Sequence, residues 1–153
     1  MDLSVIIPIY NHEQYIKKCL ETILEDFPSN SEIIIIDDVC TDKSIEIIES
    51  LHSPYIKIIH NEKNMGCAYN LNKGIEVAQG KYIGINYSDD FVEKGFYKKM
   101  LNVFNHKGMC QRVTGIIGLK KKYPQVVLDL IKGEKRDEII SALLGYLPKI
   151  DWI

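Results

Sequence analysis

Four consecutive isoleucines, Ile33–Ile36, form the segment that most constrains the fold of this 153-residue chain. An uninterrupted apolar run is typical of a strand buried on both faces, as in a parallel sheet that is covered by helices. Two aspartates, Asp37 and Asp38, follow the run directly. A second acidic pair, Asp89 and Asp90, comes shortly after another apolar run. Paired carboxylates therefore stand at the ends of two predicted buried strands.

Strand and helix patterns alternate over the first hundred residues. Short apolar runs predict four strands, over Leu3–Ile7, Ile33–Ile36, Tyr55–Ile59 and Tyr82–Ile85. Apolar residues at helical spacing predict four helices, over Tyr15–Phe27, Asp42–Leu51, Ala68–Ala78 and Phe96–Phe104. This alternation predicts an α/β fold with a mostly parallel sheet, flanking helices and right-handed crossovers.

The carboxyl ends of the strands are the expected ligand-binding edge of such a sheet. Both acidic pairs are predicted to lie there, together with the turn Pro8–Asn11 that follows the first strand. Carboxylates on one rim repel each other unless a counter-charge or hydrogen-bond donors accompany them. A divalent cation is one solution, because Mg²⁺ and Mn²⁺ take oxygen ligands and share them with phosphates. Helix capping is the alternative, and Asp42 is interpreted as a cap or first-turn charge.

Composition excludes several classes of protein. The net charge is −2, and the only basic cluster is Lys120–Lys122, which argues against a nucleic-acid partner. The four cysteines show no C-x-x-C spacing, so neither a zinc site nor a redox motif is indicated. No window reaches the ~18 apolar residues of a membrane span, and the N-terminus lacks a charged leader. We expect a soluble cytoplasmic protein, or one peripherally bound at the inner face of the membrane.

Four segments in register resemble the inverting nucleotide-diphospho-sugar glycosyltransferases of family 2, which have the Rossmann-like GT-A fold. They are VIIPIYN, IIIIDDVCTD, NMGCAYNLNKGIEVAQGKYI and INYSDD, within residues 3–105. The resemblance implies a nucleotide-sugar-binding GT-A core over residues 1–107. Residues 108–153 are then a short strand and helical extension, with a possible strand near Val113–Leu119, and the acceptor half is truncated.

The resemblance also implies roles for particular residues. Pro8, Tyr10 and Asn11 match the loop beside the nucleotide base, and Tyr10 is expected to cover a uracil ring. Asp38 matches the aspartate that accepts a hydrogen bond from the base. Asn72 is expected to bind the donor nucleotide or, alternatively, to brace the rim. Asp89 is expected to bind the ribose or the metal, and Asp90 the metal.

The chain departs from the family pattern at three places. Val39 and Cys40 replace a usual Gly-Ser, which predicts a different backbone path in that turn. Asn70 and Leu71 replace an Ala-Arg pair and remove a positive charge that could face phosphate. Tyr87 stands where the metal motif commonly has its first aspartate, and this substitution bears on metal affinity and catalytic competence.

The implied function is transfer of a sugar, with inversion, from a UDP-sugar to a glycan or lipid-linked acceptor, with Mg²⁺ or Mn²⁺ as cofactor. No acidic residue after Asp90 lies in a recognisable acceptor motif, so no general base is assigned. The alternative is a non-catalytic nucleotide-sugar-binding or interaction module that has lost its acceptor machinery. A phosphoacceptor signalling domain fits less well, since its acidic pair should follow the first strand. A dinucleotide-binding dehydrogenase would need a G-x-G-x-x-G after that strand.

Overall fold

The computed structural model describes residues 1–107, and the side chains of residues 1–102. Strands and helices alternate along this part of the chain. The elements in order are β1 (Leu3–Ile9), α1 (Ile16–Leu24), β2 (Ser31–Asp37), α2 (Ser44–Ser50), β3 (Ile56–His60), α3 (Cys67–Val77), β4 (Tyr82–Ile85) and α4 (Phe96–Lys107). The strand and helices predicted beyond residue 107 lie outside the described residues.

The four strands form one sheet in the order β3-β2-β1-β4, and every pairing is parallel. In the register, Ile9 pairs with Asp37, and Asp37 pairs with His60. The carboxyl ends of β1, β2 and β3 therefore lie side by side at one edge. This arrangement confirms the predicted α/β class with a parallel sheet.

Helices cover both faces of the sheet, which explains the uninterrupted isoleucine run in β2. Ile33 and Ile35 point to one face, where they pack in a cluster with residues of α1, α2 and α4. Ile34 and Ile36 point to the other face, where they pack against α3. All four side chains are fully buried. Because side chains alternate across a strand, only a strand buried on both faces requires four apolar residues in a row.

β1 is longer than predicted, because it continues through Pro8 to Ile9. A proline lacks the N–H that an inner strand normally donates to its neighbour. The carbonyl of Ile6 accepts from the Asn86 amide on the β4 side, and Pro8, two residues later, faces the same side. The pairing with β4 ends at Ile6, so Pro8 removes no hydrogen bond from the sheet.

The approach of α3 to the sheet depends on Gly74. A Cβ atom at this position would lie 2.3 Å from Cγ2 of Ile6, which is fully buried in β1. The motif glycine therefore sets the distance between α3 and the sheet, and with it the position of the N-terminus of α3 at the ligand-binding edge. Within residues 1–107, no helix combines the length and the apolar character that a membrane span requires.

Candidate functional site

Asp38 follows β2, and its carboxylate organises the loop after β3. Oδ1 accepts hydrogen bonds from the Asn61 side chain at 2.8 Å and from the Met65 amide at 2.7 Å, and Oδ2 accepts from the Gly66 amide at 2.8 Å. Asp38 is only 2% exposed. Burial by itself would raise the pKa of Asp38, but the hydrogen bonds, led by that from Met65, hold this pKa below its ordinary value. The carboxylate is therefore ionised and fixed in place.

Asp37 is buried and braces the edge. Its carboxylate accepts from the Cys40 amide at 2.8 Å and lies 2.8 Å from Nδ1 of His60. Burial acts to raise the pKa of Asp37, yet these two partners bring it below the usual value. Asp42, predicted as a cap, accepts from the amide of Ser44, the first residue of α2, at 2.9 Å. Of the three aspartates in this segment, only Asp38 lines the cleft described below.

Asn11 connects the loops after β1 and β2. Its side-chain oxygen accepts hydrogen bonds from the Thr41 amide at 2.7 Å and the Asp42 amide at 3.3 Å. Its own backbone is left-handed, with φ of 53°. Val39 is also left-handed, with φ of 67°, a conformation that glycine adopts without steric cost but a β-branched residue does not. The Val39–Cys40 turn is thus strained where the family usually has Gly-Ser.

The segment Tyr87–Asp90, named here the acidic turn, is held by the buried side chain of Asn86. The Asn86 amide donates to the carbonyl of Tyr87 at 2.9 Å and to the carbonyl of Asp90 at 3.4 Å. The Asp90 amide closes the turn by donating to the Tyr87 carbonyl at 3.0 Å. Ser88 is buried, whereas Asp89 and Asp90 are exposed. The two carboxylates are therefore presented to solvent from an anchored backbone.

His12 links the loop after β1 to the acidic turn. Its Nδ1 lies 2.6 Å from the Ser88 hydroxyl oxygen, and its backbone amide donates to the Ser44 hydroxyl at 2.9 Å. The Tyr15 ring packs edge-on against the imidazole, with 6.0 Å between centroids. In the sequence His12 belongs to no metal-ligand or triad spacing, so it is not among the predicted site residues. Its position directly after the Pro8–Asn11 turn was the available signal.

These loops enclose a cleft of about 540 Å³ at the carboxyl edge of the sheet. Five of the residues predicted for the donor or the metal line it, namely Pro8, Tyr10, Asp38, Asp89 and Asp90. Asn11 and Asn72 do not line the cleft. Their role in donor binding stays a prediction. The described part of the chain adds lining residues that the sequence analysis did not assign, namely Ile9, His12, Cys67, Asn70, Tyr87 and Ser88.

The donor set at the acidic turn is suited to a divalent cation that also binds phosphate. Among residues 1–102, whose side chains the structure describes, the carboxylates of Asp89 and Asp90 form no hydrogen bond or ion pair, and no three His, Cys, Asp or Glu side chains are grouped as metal ligands. Mg²⁺ is usually held by one or two carboxylates, with substrate phosphates and water as the other ligands. A pair of free carboxylates in a cleft fits that mode better than a site built entirely from protein ligands.

A parallel α/β sheet with a cleft at its carboxyl edge is the arrangement of the Rossmann-like folds, of which the GT-A fold is one. The sequence profile of Glycosyl transferase family 2 matches residues 4–142, and the chain belongs to that family. An uncharacterized glycosyltransferase of Haemophilus influenzae is 40% identical over 152 residues, which is 97% of this chain and 59% of that protein. The chain thus spans less than two thirds of this relative, and a smaller share of others.

Solved structures give the same assignment. TarS 1–349 of S. aureus, in complex with UDP-GlcNAc, has a TM-score of 0.68 and 28% identity, over 71% of this chain and 32% of that one. The mannosyltransferase PcManGT of Pyrobaculum calidifontis, in complex with GDP-Man and Mn²⁺, has a TM-score of 0.53 and 25% identity, over 57% of this chain and 27% of that one. The predicted family and the GT-A fold are both confirmed.

Proposed function

We propose that this chain is a family 2 glycosyltransferase, or the donor-binding part of one, and that it binds a UDP-sugar in the cleft at the carboxyl edge of the sheet. The observation that carries the proposal is the convergence of Tyr10, Asp38, Asp89 and Asp90 on this one cleft. These residues come from three separate loops; Asp38 also accepts from the amide of Gly66, the N-cap residue of α3, whereas no helix N-terminus engages the carboxylates of Asp89 and Asp90 among the described residues. The complex of TarS with UDP-GlcNAc supports a uridine nucleotide as the donor.

In this proposal the base lies between the loops after β1 and β2. Tyr10 is 48% exposed and lines the cleft, so its ring is available to stack on a uracil. Asp38 is ionised and can accept a hydrogen bond from the imide N–H of the base, although several of its lone pairs are already occupied. A base without that N–H would leave the carboxylate facing an acceptor, which favours uracil over cytosine.

Asp90 and Asp89 would hold Mg²⁺ or Mn²⁺ at the acidic turn, with Asp89 alternatively contacting the ribose. The bound cation would supply positive charge to the diphosphate. Asn86 fixes the backbone of this turn, so binding would cost conformational freedom mainly in the two aspartate side chains and little in the backbone. The complex of PcManGT with GDP-Man and Mn²⁺ supports a divalent cation.

The proposed reaction transfers the sugar with inversion to a hydroxyl of a glycan or lipid-linked saccharide. The acceptor oxygen attacks the anomeric carbon from the side opposite the diphosphate, the bond from that carbon to the diphosphate oxygen breaks, and the acceptor proton passes to a general base. No residue among 1–107 is assigned as that base. The first 107 residues therefore account for donor binding and leaving-group orientation.

A second candidate is a nucleotide-sugar-binding module without transferase activity. The observation in its favour is Tyr87, which lines the cleft beside Asp89 and Asp90 where the family motif commonly has an aspartate. The two candidates share the same ligand and differ only in turnover.

Calorimetric titration of the 153-residue chain with UDP, with Mn²⁺ and with EDTA, tests the proposal. We expect UDP to bind more tightly with Mn²⁺, and Asp90→Ala to reduce the affinity measured with Mn²⁺ by roughly tenfold or more. Glu93→Ala is the matched control, since Glu93 is an exposed acid outside the cleft lining. Absence of UDP binding under both conditions would refute the proposal. If UDP does bind, release of UDP from a UDP-sugar would favour the transferase, and binding without release would favour the module without transferase activity.

A further inference from the structure

The imidazole of His12 is oriented by its neighbours, and one ring nitrogen remains available. Nδ1 is taken by the Ser88 hydroxyl at 2.6 Å, and Tyr15 packs against the ring. The backbone amide is anchored on Ser44 at 2.9 Å. Nε2 forms no hydrogen bond to any of the side chains that the structure describes, those of residues 1–102. His12 lines the cleft and its Nδ1 is engaged by Ser88, so Nε2 is the ring nitrogen left to contact a ligand there.

The charges around the cleft determine what Nε2 of His12 can contribute to phosphate binding. Three carboxylates line it, those of Asp38, Asp89 and Asp90, and no lysine or arginine does so among residues 1–102, whose side chains the structure describes. Leu71 occupies the position at which the family motif often has an arginine. A nucleoside diphosphate that enters the cleft therefore meets mostly negative charge. Tyr10 and Tyr87 also line the cleft and carry neutral hydroxyl donors, but the imidazole is the lining side chain that can both donate a hydrogen bond to a phosphate and carry positive charge.

We propose that His12 binds the phosphates of the donor through Nε2, and that Ser88 is the positioning residue that orients it. The inference rests on the proposed function and adds a contact to the diphosphate. When the Ser88 hydroxyl donates to Nδ1, the proton of the neutral ring lies on Nε2, which then donates to phosphate. When the ring is protonated, Nδ1 donates to Ser88 and Nε2 still carries a proton. In these two forms Nε2 is a donor, and a phosphate in the cleft selects them over the neutral tautomer in which Nδ1 donates to Ser88 and Nε2 is an acceptor.

Two substitutions at His12 separate the roles of its two nitrogens. In His12→Asn, the amide can occupy the place of Nδ1 and keep the contact to Ser88, but nothing replaces Nε2. In His12→Gln, the amide can reach the place of Nε2 and donate to phosphate. The ligands are UDP, UMP and uridine, titrated into the 153-residue chain in buffers with Mn²⁺ and with EDTA. His52→Asn is the control, because His52 is exposed, outside the cleft lining, and in a left-handed conformation that asparagine tolerates.

We expect His12→Asn to weaken UDP and UMP binding by roughly ten- to a hundredfold and to leave uridine binding unchanged. The loss should be the same with Mn²⁺ and with EDTA, and His12→Gln should restore part of the affinity. Ser88→Ala should also weaken UDP relative to uridine, by a smaller factor, because the ring is then free to turn. His52→Asn should change none of these values.

Three results would overturn the inference. Equal losses for uridine and UDP would assign His12 to the shape of the loop alone. A loss confined to the Mn²⁺ buffer would show that His12 acts through the acidic turn and its cation. Unchanged UDP affinity in His12→Asn would exclude the contact directly. Each of these results requires UDP binding by the unmodified chain, so failure of the inference is distinct from failure of the proposed function.

Discussion

Asn61 donates a hydrogen bond from its side-chain amide to the carboxylate of Asp38, across 2.8 Å and between the loops that follow β3 and β2. The same amide group donates to Oδ1 of Asn70 in α3 at 2.7 Å. Lys73 completes the group by donating to the Asn61 oxygen at 2.8 Å. The residue predicted to contact the base is therefore also the acceptor that holds one wall of the cleft together.

Asp38→Asn should lower both stability and affinity. The asparagine side chain accepts hydrogen bonds only through its oxygen. Its NH₂ group would therefore face the backbone N–H of Met65 or of Gly66. We expect the free energy of unfolding to fall by roughly 1–3 kcal/mol, measured by urea denaturation. UDP binding should weaken in EDTA as well as in Mn²⁺. Asp2→Asn is the isosteric control at an exposed position. Unchanged stability in Asp38→Asn would contradict the bracing role.

Acid should destabilise the protein, because three of its aspartates have lowered pKa values in the folded state. The pKa values of Asp37, Asp38 and Asp42 lie below the ordinary value in the folded state, because hydrogen bonds to the ionised forms outweigh the effect of burial. The unfolded chain therefore binds more protons than the folded one near pH 4, and stability falls as the pH falls. We expect an unfolding free energy that changes little from pH 7 to 5 and decreases below about pH 4.

Urea denaturation at pH 7, 5, 4 and 3.5 would measure this dependence. The Asp38→Asn variant should show a shallower decrease between pH 4 and 3.5, because one of the three groups no longer titrates. A stability that rises on acidification, or an identical slope in the variant, would be inconsistent with the depressed pKa of Asp38.

Tyr10→Ala should reduce UDP affinity by about tenfold, in line with the energy of a base stacked on an aromatic ring. Tyr69→Ala is a matched control, since Tyr69 is 45% exposed and Tyr10 is 48% exposed, but Tyr69 is not among the residues lining the cleft. Calorimetry with UDP and uridine should show the same fractional loss for both ligands, because stacking involves only the base. A loss restricted to UDP would point to the phosphates instead.

Val39→Gly should stabilise the protein. Val39 has φ of 67°, where a β-branched side chain is strained and glycine is not. The relief of strain exceeds the greater chain entropy of glycine in the unfolded state, and we expect a net gain of about 1 kcal/mol in the free energy of unfolding. Val39→Ala keeps a Cβ at the same φ and should gain less. Thermal and urea unfolding of the two variants would separate strain from the loss of an exposed apolar group.

Much of the fold could be predicted because burial leaves periodic marks on the sequence. β4 was predicted with its observed bounds, and the runs that form β1, β2 and β3 were placed within two residues. The ends of strands and helices were harder to predict where one residue is compatible with two local structures. Pro8 was interpreted as the end of a strand, whereas the early end of β4 lets it remain inside β1. Asp42 was interpreted as a cap or first-turn charge; it accepts from the amide of Ser44, the first residue of α2, but it precedes Lys43, which is the N-cap residue and forms no side-chain capping hydrogen bond.

The amino-acid sequence by itself determined the class of fold and the rim on which Tyr10, Asp38, Asp89 and Asp90 gather, because a parallel sheet brings the ends of its strands to one edge whatever the side chains do. Tertiary structure alone decided how these side chains are used. It directed the Asn11 side chain to the backbone of the next loop, and it brought His12 to Ser88 across 76 positions of sequence. Such contacts depend on the distances and directions of side chains from different elements, and these leave no periodic mark on the chain.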